Sequence, residues 1–352
     1  MTLLAETIAH IVPADRSIAA RTQALLDQKT KPRRSLGRLE DLACRIAAAR
    51  GEIPLALPRK AIVVMAADHG VAVEGVSAYP QEVTRQMVLN FARGGAGINV
   101  LARQAGARVV VVDMGVKESL GATEGVRVSR MGPGTCNFLR EPAMTRGQAT
   151  AAIEVGIRLA AELAGEGVDL LGIGEMGIGN TTAASALAAV FTGTDPAEVT
   201  GRGTGVDDAA LARKVEVVRR ALALHRPDGS DALDALAKVG GFEIAGLAGV
   251  VLGSAACRVP VIADGFISST AALAAVRLVP AAAGYLIASH RSVEPGHRKV
   301  LEAIGVPPLL DLDLRLGEGT GAALAMHLAE ASIRVLLEMA TFDSAGVSDS
   351  GS

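Results

Sequence analysis

Glu318 stands in the segment Leu-Leu-Asp-Leu-Asp-Leu-Arg-Leu-Gly-Glu-Gly-Thr-Gly (309–321), between two glycines, after an alternating apolar run and before a long Ala-rich stretch. A carboxylate framed in this way suits a general acid or base, and the chain offers no other comparable one. The plain alternative is an acidic residue favoured by the dipole at a helix N-terminus. Second in interest is Gly-Ile-Gly-Glu-Met-Gly-Ile-Gly-Asn-Thr-Thr (172–182), a glycine-rich loop that follows an apolar strand and precedes a helix. Backbone N–H groups at such a junction bind phosphate, and glycines let the backbone approach closely. Two fingerprints overlap here and both fail. Gly172-x-Gly174-x-x-Gly177 has the dinucleotide spacing, but no strand ending in an acid follows about 20 residues on. Gly174-x-x-x-x-Gly179-Asn180-Thr181 is close to a P-loop, but Asn180 replaces the lysine that neutralises the β/γ-phosphates. A monophosphate site fits better, with a structural turn as the alternative. Together the two segments point to an enzyme acting on a phosphorylated small molecule with a carboxylate as base.

Other chemistry-bearing residues are less pointed. Thr200-Gly-Arg-Gly-Thr-Gly-Val-Asp-Asp (200–208) leads into a helix carrying Lys214, which can reach back to a phosphate as a point charge. Asp68–Met87 reads as a long loop entering a helix, with Tyr79 and Gln86 as candidates to line a flat apolar pocket. Asp68-His69 has no third ligand at metal-site spacing, and His290 and His297 flank Pro295-Gly296 with no fixed geometry, so no metal is expected. There is no GxSxG elbow, and no cysteine has a histidine beside it in the sequence.

The elements that must hold these residues follow an α/β pattern. Residues 1–58 read as helices, with Asp41–Arg50 the clearest. From Lys60 short β-branched runs alternate with Ala-rich helical stretches, as in βαβ units of a parallel sheet. The runs are Ala61–Ala67, Arg108–Val112, Val168–Ile173, Val259–Ala263 and Tyr285–Ser289, with Leu309–Leu316 as a sixth strand or an extended connection. Helices are expected over Pro80–Phe91, Thr145–Ala164, Thr181–Val190, Asp207–Leu224, Phe242–Cys257, Phe266–Val276 and Gly321–Met339. Each of the five clear runs ends in a polar or ionisable residue: Asp68-His69, Asp113, Glu175, Asp264 and His290. On one rim these would form an acidic pocket mouth, since ligands bind at the carboxyl ends of parallel strands. The plain alternative is that strand ends become polar as they leave the core.

Composition excludes several classes. The chain has 352 residues, half of them hydrophobic, with eight aromatics (six Phe, two Tyr) and no Trp, so its core is aliphatic and Ala-packed. Net charge is −2 with scattered charges, which gives no electrostatic case for nucleic acid. The longest uncharged apolar stretch, Ile244–Cys257, is too short and Gly-rich to span a membrane. Cys44, Cys136 and Cys257 form no CxxC pair and are expected as buried thiols of a cytoplasmic protein. The N-terminus has no secretory pattern, no internal repeat is visible, and a small polar tail (346–352) is expected to fray.

Seven motifs, in order, resemble the nicotinate-nucleotide:dimethylbenzimidazole phosphoribosyltransferase family of the cobalamin lower-ligand pathway. They are Lys31-Pro-Arg-Arg-Ser-Leu-Gly-Arg-Leu-Glu, Ala67-Asp-His-Gly-Val, the 172–182 loop, Thr200-Gly-Arg-Gly-Thr-Gly, Ala263-Asp-Gly-Phe-Ile-Ser-Ser-Thr, His290-Arg-Ser-Val-Glu-Pro-Gly-His and Leu316-Gly-Glu-Gly-Thr-Gly-Ala. The resemblance covers about residues 29–340. It implies transfer of phosphoribose from nicotinate mononucleotide to 5,6-dimethylbenzimidazole, giving α-ribazole 5′-phosphate and nicotinate with inversion, and no cofactor or metal. It places Glu318 on the catalytic base and Tyr79, Gln86 and Leu316 on the aromatic-base pocket. Glu175, Gly177, Gly179, Asn180, Gly203, Lys214, Asp264 and Ser292 fall on the nucleotide site. It also implies a homodimer, with a parallel Rossmann-like α/β domain (60–308) and a small helical domain made from both chain ends (1–59 and 309–345). Two other classes stay open: a non-catalytic protein that binds the nucleotide and the base, and a dinucleotide oxidoreductase read from the Gly172 spacing.

Overall fold

Seven strands, all parallel, run in the order β3-β2-β1-β4-β5-β6-β7 through the centre of the chain. They are β1 (Lys60–Ala67), β2 (Ala107–Gly115), β3 (Val126–Val128), β4 (Leu170–Met176), β5 (Val261–Ala263), β6 (Leu286–His290) and β7 (Pro308–Leu310). The computed structural model describes residues 2–54, 56–121, 123–203 and 205–348. The order reverses between β1 and β4, and in doubly wound sheets the crevice outside such a switch point takes the ligand.

Alternation along β1 explains the two layers. Ala61, Val63, Met65 and Ala67 face one core with the helices Arg146–Gly165, Asn180–Thr192, Phe242–Ala256 and Phe266–Leu278. Ile62, Val64 and Ala66 face the other, covered by Arg38–Arg50, Glu82–Ala92, Gly97–Ala105 and Thr320–Glu338. Small residues set the spacing. A Cβ at Gly156 would overlap the Gly246 carbonyl oxygen, and one at Gly249 would overlap that of Ile153. The helices Arg146–Gly165 and Phe242–Ala256 therefore touch backbone to backbone. Gly249→Ala is expected to lower stability by about 1–3 kcal/mol through overpacking. A denaturant midpoint equal to that of the parent would contradict that contact.

The expected α/β class is observed, and the departures have physical causes. Gly172 and Gly174 belong to β4, so the glycine loop is shorter than its spacing implies. Glycine inside a strand marks close approach. A Cβ at Gly172 would press on Ala322 and Met326, and one at Gly174 would overlap the backbone of Glu318. The short edge strand Val126–Val128 and the helices Gly97–Ala105, Ala232–Val239 and Pro295–Ile304 escape the sequence reading. Beyond Leu310 the 309–316 segment is irregular. Cys136 and Cys257 are exposed and Cys44 is half-buried, contrary to the buried thiols expected; Cys257 caps a helix end and Cys136 lies in a loop.

The chain ends meet through an antiparallel bridge between Lys29 and Thr341, and Lys29 Nζ donates to the Met339 carbonyl at 2.8 Å. The helix Thr320–Glu338 is long and apolar enough to cross a membrane by length and composition, but its apolar side packs on the sheet and on Arg38–Arg50. Of the tail, residues 349–352 lie outside the described residues.

Candidate active site

A cleft opens at the carboxyl ends of β4, β5 and β6. Its lining includes Glu175, Gly177, Asn180, Thr181, Gly203, His290, Ser292, Glu294, Arg315, Leu316 and Gly317. The helix Asn180–Thr192 starts at its floor with Gly179 (φ +96°) as N-cap and no side-chain cap. The Asn180 and Thr182 N–H groups donate to the Gly177 and Gly179 carbonyls at 3.1 and 3.0 Å, which leaves the Thr181 N–H and the positive end of the helix for an anion. Lys214 is fully buried beside this end, and its Nζ donates to Thr181 Oγ1 at 2.8 Å and to the Gly201 carbonyl at 3.1 Å. Burial pushes the ammonium down to about 8, against the attraction of Glu294. Gly203 carries a φ of +53°, donates its N–H to Glu294 Oε1 at 2.8 Å, and would bring a Cβ within 3.2 Å of Lys214 Nζ. The Ser292 N–H donates to His297 Nδ1 at 2.9 Å, which locks the loop after β6.

The second helix N-terminus at this rim is occupied from within. The helix Thr320–Glu338 also has a glycine N-cap, Gly319, but Asp264 at the end of β5 supplies the missing acceptor. Asp264 Oδ2 accepts from the Gly319 N–H at 3.1 Å, and Oδ1 accepts from Gly321 at 2.7 Å and Ala322 at 3.2 Å. Burial pushes this carboxyl up to about 7, against those same bonds. Because both oxygens accept, the group works as a carboxylate. Asp264 therefore faces the turn and is not on the cleft lining.

That turn carries Glu318. Gly317, Glu318 and Gly319 are all left-handed, with φ of +82°, +65° and +94°. For a non-glycine residue this conformation costs about 1–3 kcal/mol, and such strain clusters at functional sites. Glu318 is 5% exposed, and its Oε2 accepts from the Ile98 N–H, 3.1 Å away, at the start of Gly97–Ala105. Leu316, 61% exposed, lies over it: a Cβ at Gly97 would sit 3.1 Å from Leu316 Cδ2 and 3.3 Å from Glu318 Oε2. Burial raises the Glu318 carboxyl above its ordinary value, opposed by the Ile98 bond. Glu175 lies between this turn and the glycine loop. Burial first, then Glu243, Asp264 and Glu318, push it up to about 8, although Asn180 Nδ2 donates to its Oε2. Glu294 Oε2 is buried with no partner among the described residues. Among the lining residues Arg315 alone is cationic.

The acidic mouth expected from five strand ends is only partly present. Glu175 and His290 reach the cleft. Asp68 Oδ2 accepts from the Lys117 N–H at 2.7 Å, and Asp113 Oδ1 accepts from Gly115 and Val116 at 2.9 and 2.8 Å. His69 Nε2 lies 2.7 Å from Glu243 Oε1 in the interior. The Asp68 and Asp113 carboxylates thus take up N–H groups of residues 115–117, where β2 ends, and His69 is taken up by Glu243. Tyr79, 54% exposed, and Gln86, also exposed, are not on the cleft lining. Glu294, Thr181 and Arg315 were not singled out from the sequence. Of these only Glu294 carries a signal: an acid before Pro295, as at a helix start.

Comparisons with known proteins agree over almost the whole chain. A family model described as phosphoribosyltransferase matches residues 11–347. A nicotinate-nucleotide–dimethylbenzimidazole phosphoribosyltransferase of Chloroflexus aggregans is 59% identical over 349 residues, covering 99% of each chain. One of a Roseiflexus species is 60% identical over 348 residues, with the same coverage. A crystal structure of the enzyme of that name from Thermus thermophilus superposes with a TM-score of 0.90 at 49% identity, covering 95% of this chain and 99% of the other.

Proposed function

Because this chain belongs to the nicotinate-nucleotide–dimethylbenzimidazole phosphoribosyltransferase family, we propose that it moves the 5-phosphoribosyl group of nicotinate mononucleotide onto 5,6-dimethylbenzimidazole. The products would be α-ribazole 5′-phosphate and nicotinate. One observation carries this reading. A helix N-terminus without a side-chain cap lines one cleft with Leu316 and Gly317; the strained, buried Glu318 follows Gly317, and the buried Lys214 stands behind Thr181, both just off the lining.

Each part has a task in such a transfer. The 5′-phosphate sits on the first turn of Asn180–Thr192, against Gly177 and Gly179, with Gly203, Ser292 and Lys214 around it. Asn180 and Glu175 join the phosphate end to the ribose. Departure of the pyridinium needs no acid, because breaking its glycosidic bond neutralises the ring nitrogen. Positive charge then develops at the anomeric carbon, in a cleft whose lining holds the Glu294 carboxylate and so favours it. As one azole nitrogen attacks from the opposite face, the other N–H acidifies and Glu318 accepts the proton. Asp264 acts on this chemistry from behind, by holding the turn that carries Glu318. Tyr79, Gln86 and Leu316 form the azole pocket. Leu316 supports this by its position over the carboxylate, whereas the exposure of Tyr79 and Gln86 leaves the pocket open in a single chain. A homodimer, with the small helical domain of 1–59 and 309–345 beside the larger α/β domain, would cover it. Three free thiols accord with a cytoplasmic setting. The dinucleotide alternative loses its basis, since two of its three glycines lie inside β4.

The test is a product assay. Nicotinate release is expected when nicotinate mononucleotide is supplied with an azole from a panel of candidate bases, and not without one. Release without any acceptor, or none with all of them, would reject the transfer. A bell-shaped pH dependence of kcat/KM for the nucleotide is also expected, with the azole saturating. The acid limb belongs to Glu318, whose carboxylate is lost as pH falls through a pKa raised above 4.5. The alkaline limb belongs to Lys214, which loses its charge as pH rises through about 8. A flat profile from about pH 5 to 9 would contradict both assignments.

A further inference from the structure

We propose that His290 recognises a hydroxyl of the transferred ribose, accepting its hydrogen bond at Nε2. The inference rests on the phosphoribosyl reading above and adds a determinant of sugar specificity to it.

Its basis is a chain of hydrogen bonds that fixes the tautomer. Ser289 Oγ lies 2.8 Å from the Asp264 carbonyl oxygen, which can only accept, so the single hydroxyl proton points there. The same Oγ lies 2.9 Å from His290 Nδ1 and must therefore accept from it. Asp264 Oδ1, 3.8 Å from Nδ1, favours the proton on that nitrogen as well. Burial keeps the ring neutral, with its pKa pushed down to about 4. A neutral imidazole carries one N–H, so Nε2 presents a bare lone pair.

The position of that lone pair indicates its partner. His290 lines the cleft, and a Cβ at Gly265, also on the lining, would sit 3.6 Å from Nε2. Among the described residues Nε2 has no hydrogen-bond partner. The Nδ1 edge is wedged against Gly321, where a Cβ would overlap Nδ1, so the ring cannot turn away. The ring thus stands on the lining shared by Gly203 of the phosphate end and Gly317 of the Glu318 turn, where the sugar must lie. Glu294, also on the lining, presents a buried Oε2 with no partner among the described residues, so this wall suits a group rich in O–H donors. A ribose brings two.

Two substitutions separate this role from a structural one. His290→Asn keeps a donor for Ser289 but has nothing at the Nε2 position; His290→Gln puts an amide oxygen near that position and loses the Ser289 bond. We would measure kcat/KM with nicotinate mononucleotide and its 2′-deoxy and 3′-deoxy analogues, and heat-unfolding midpoints alongside. His290→Asn is expected to lose about 10–100-fold on the parent nucleotide and to bring discrimination against one deoxy analogue to within about threefold, because the lost partner is a hydrogen-bonded hydroxyl. His290→Gln is expected to keep most of that discrimination. The inference is overturned if His290→Asn still discriminates against both analogues or loses activity equally on all three. It is overturned equally if His290→Gln loses the discrimination, or if the unaltered enzyme discriminates against neither analogue. Should one variant fail to fold, the other decides. Absence of any transfer by the unaltered enzyme would instead reject the phosphoribosyl reading.

Discussion

Glu318→Gln is expected to lose about 10²–10⁴-fold in kcat, the range of a single general base, while binding nicotinate mononucleotide within about threefold of the parent. The two effects separate because, in the proposed mode of binding, the glycine-loop end of the cleft holds the nucleotide without residue 318. Glutamine is nearly isosteric, and its amide oxygen can still accept from the Ile98 N–H that orients the carboxylate. The left-handed backbone between Gly317 and Gly319 is held from behind by Asp264 and by the close seat on Gly174, neither of which involves the side chain. Geometry is therefore preserved and only proton acceptance is removed. Near-normal turnover would show that the azole gives up its proton to solvent or to another group.

Lys214→Met should weaken nucleotide binding about 10–100-fold and leave azole binding within about twofold, as read by titration of each ligand alone. A charge-assisted hydrogen bond to phosphate is worth about 1.5–3 kcal/mol, which sets the size of the loss. The effect is one-sided because Nζ is anchored to Thr181 Oγ1 and Gly201 at the proposed phosphate end, away from the Glu318 turn. Methionine keeps most of the buried stem packing, so the variant isolates the charge. Equal weakening of both ligands would mean that Lys214 serves the fold around the Thr200–Gly205 loop and makes no phosphate contact.

Much of this site was legible in the sequence because its chemistry needs glycine. Gly177, Gly179, Gly317 and Gly319 stand where a turn or a close approach excludes other residues, and they frame both the glycine loop and the carboxylate. The βαβ alternation likewise showed the parallel sheet, since strands buried on both faces read as apolar runs. What stayed hidden depends on partners far away in the chain. Asp264 reads as a strand-end acid on a ligand rim, but its oxygens are taken by the N–H groups of residues 319, 321 and 322. Gly174 reads as part of a loop, and only the packing of Glu318 across it shows why the strand carries a glycine there. His290 reads as an unconvincing metal ligand at no fixed geometry from His297, and its free Nε2 lone pair emerges only from a tautomer set by Ser289 and Asp264 together. Tyr79 and Gln86 read as pocket-lining residues of the loop that enters a helix, but they stand exposed and off the cleft lining.

The most direct measurement is the anomeric configuration of the ribosylated product, read by proton NMR from a reaction of the β-nucleotide with 5,6-dimethylbenzimidazole. Direct displacement, with the incoming ring deprotonated by Glu318 on the face opposite the departing nicotinate, predicts the α-anomer alone, formed one-for-one with free nicotinate. A β-linked product, or nicotinate accompanied by free ribose 5-phosphate, would contradict it.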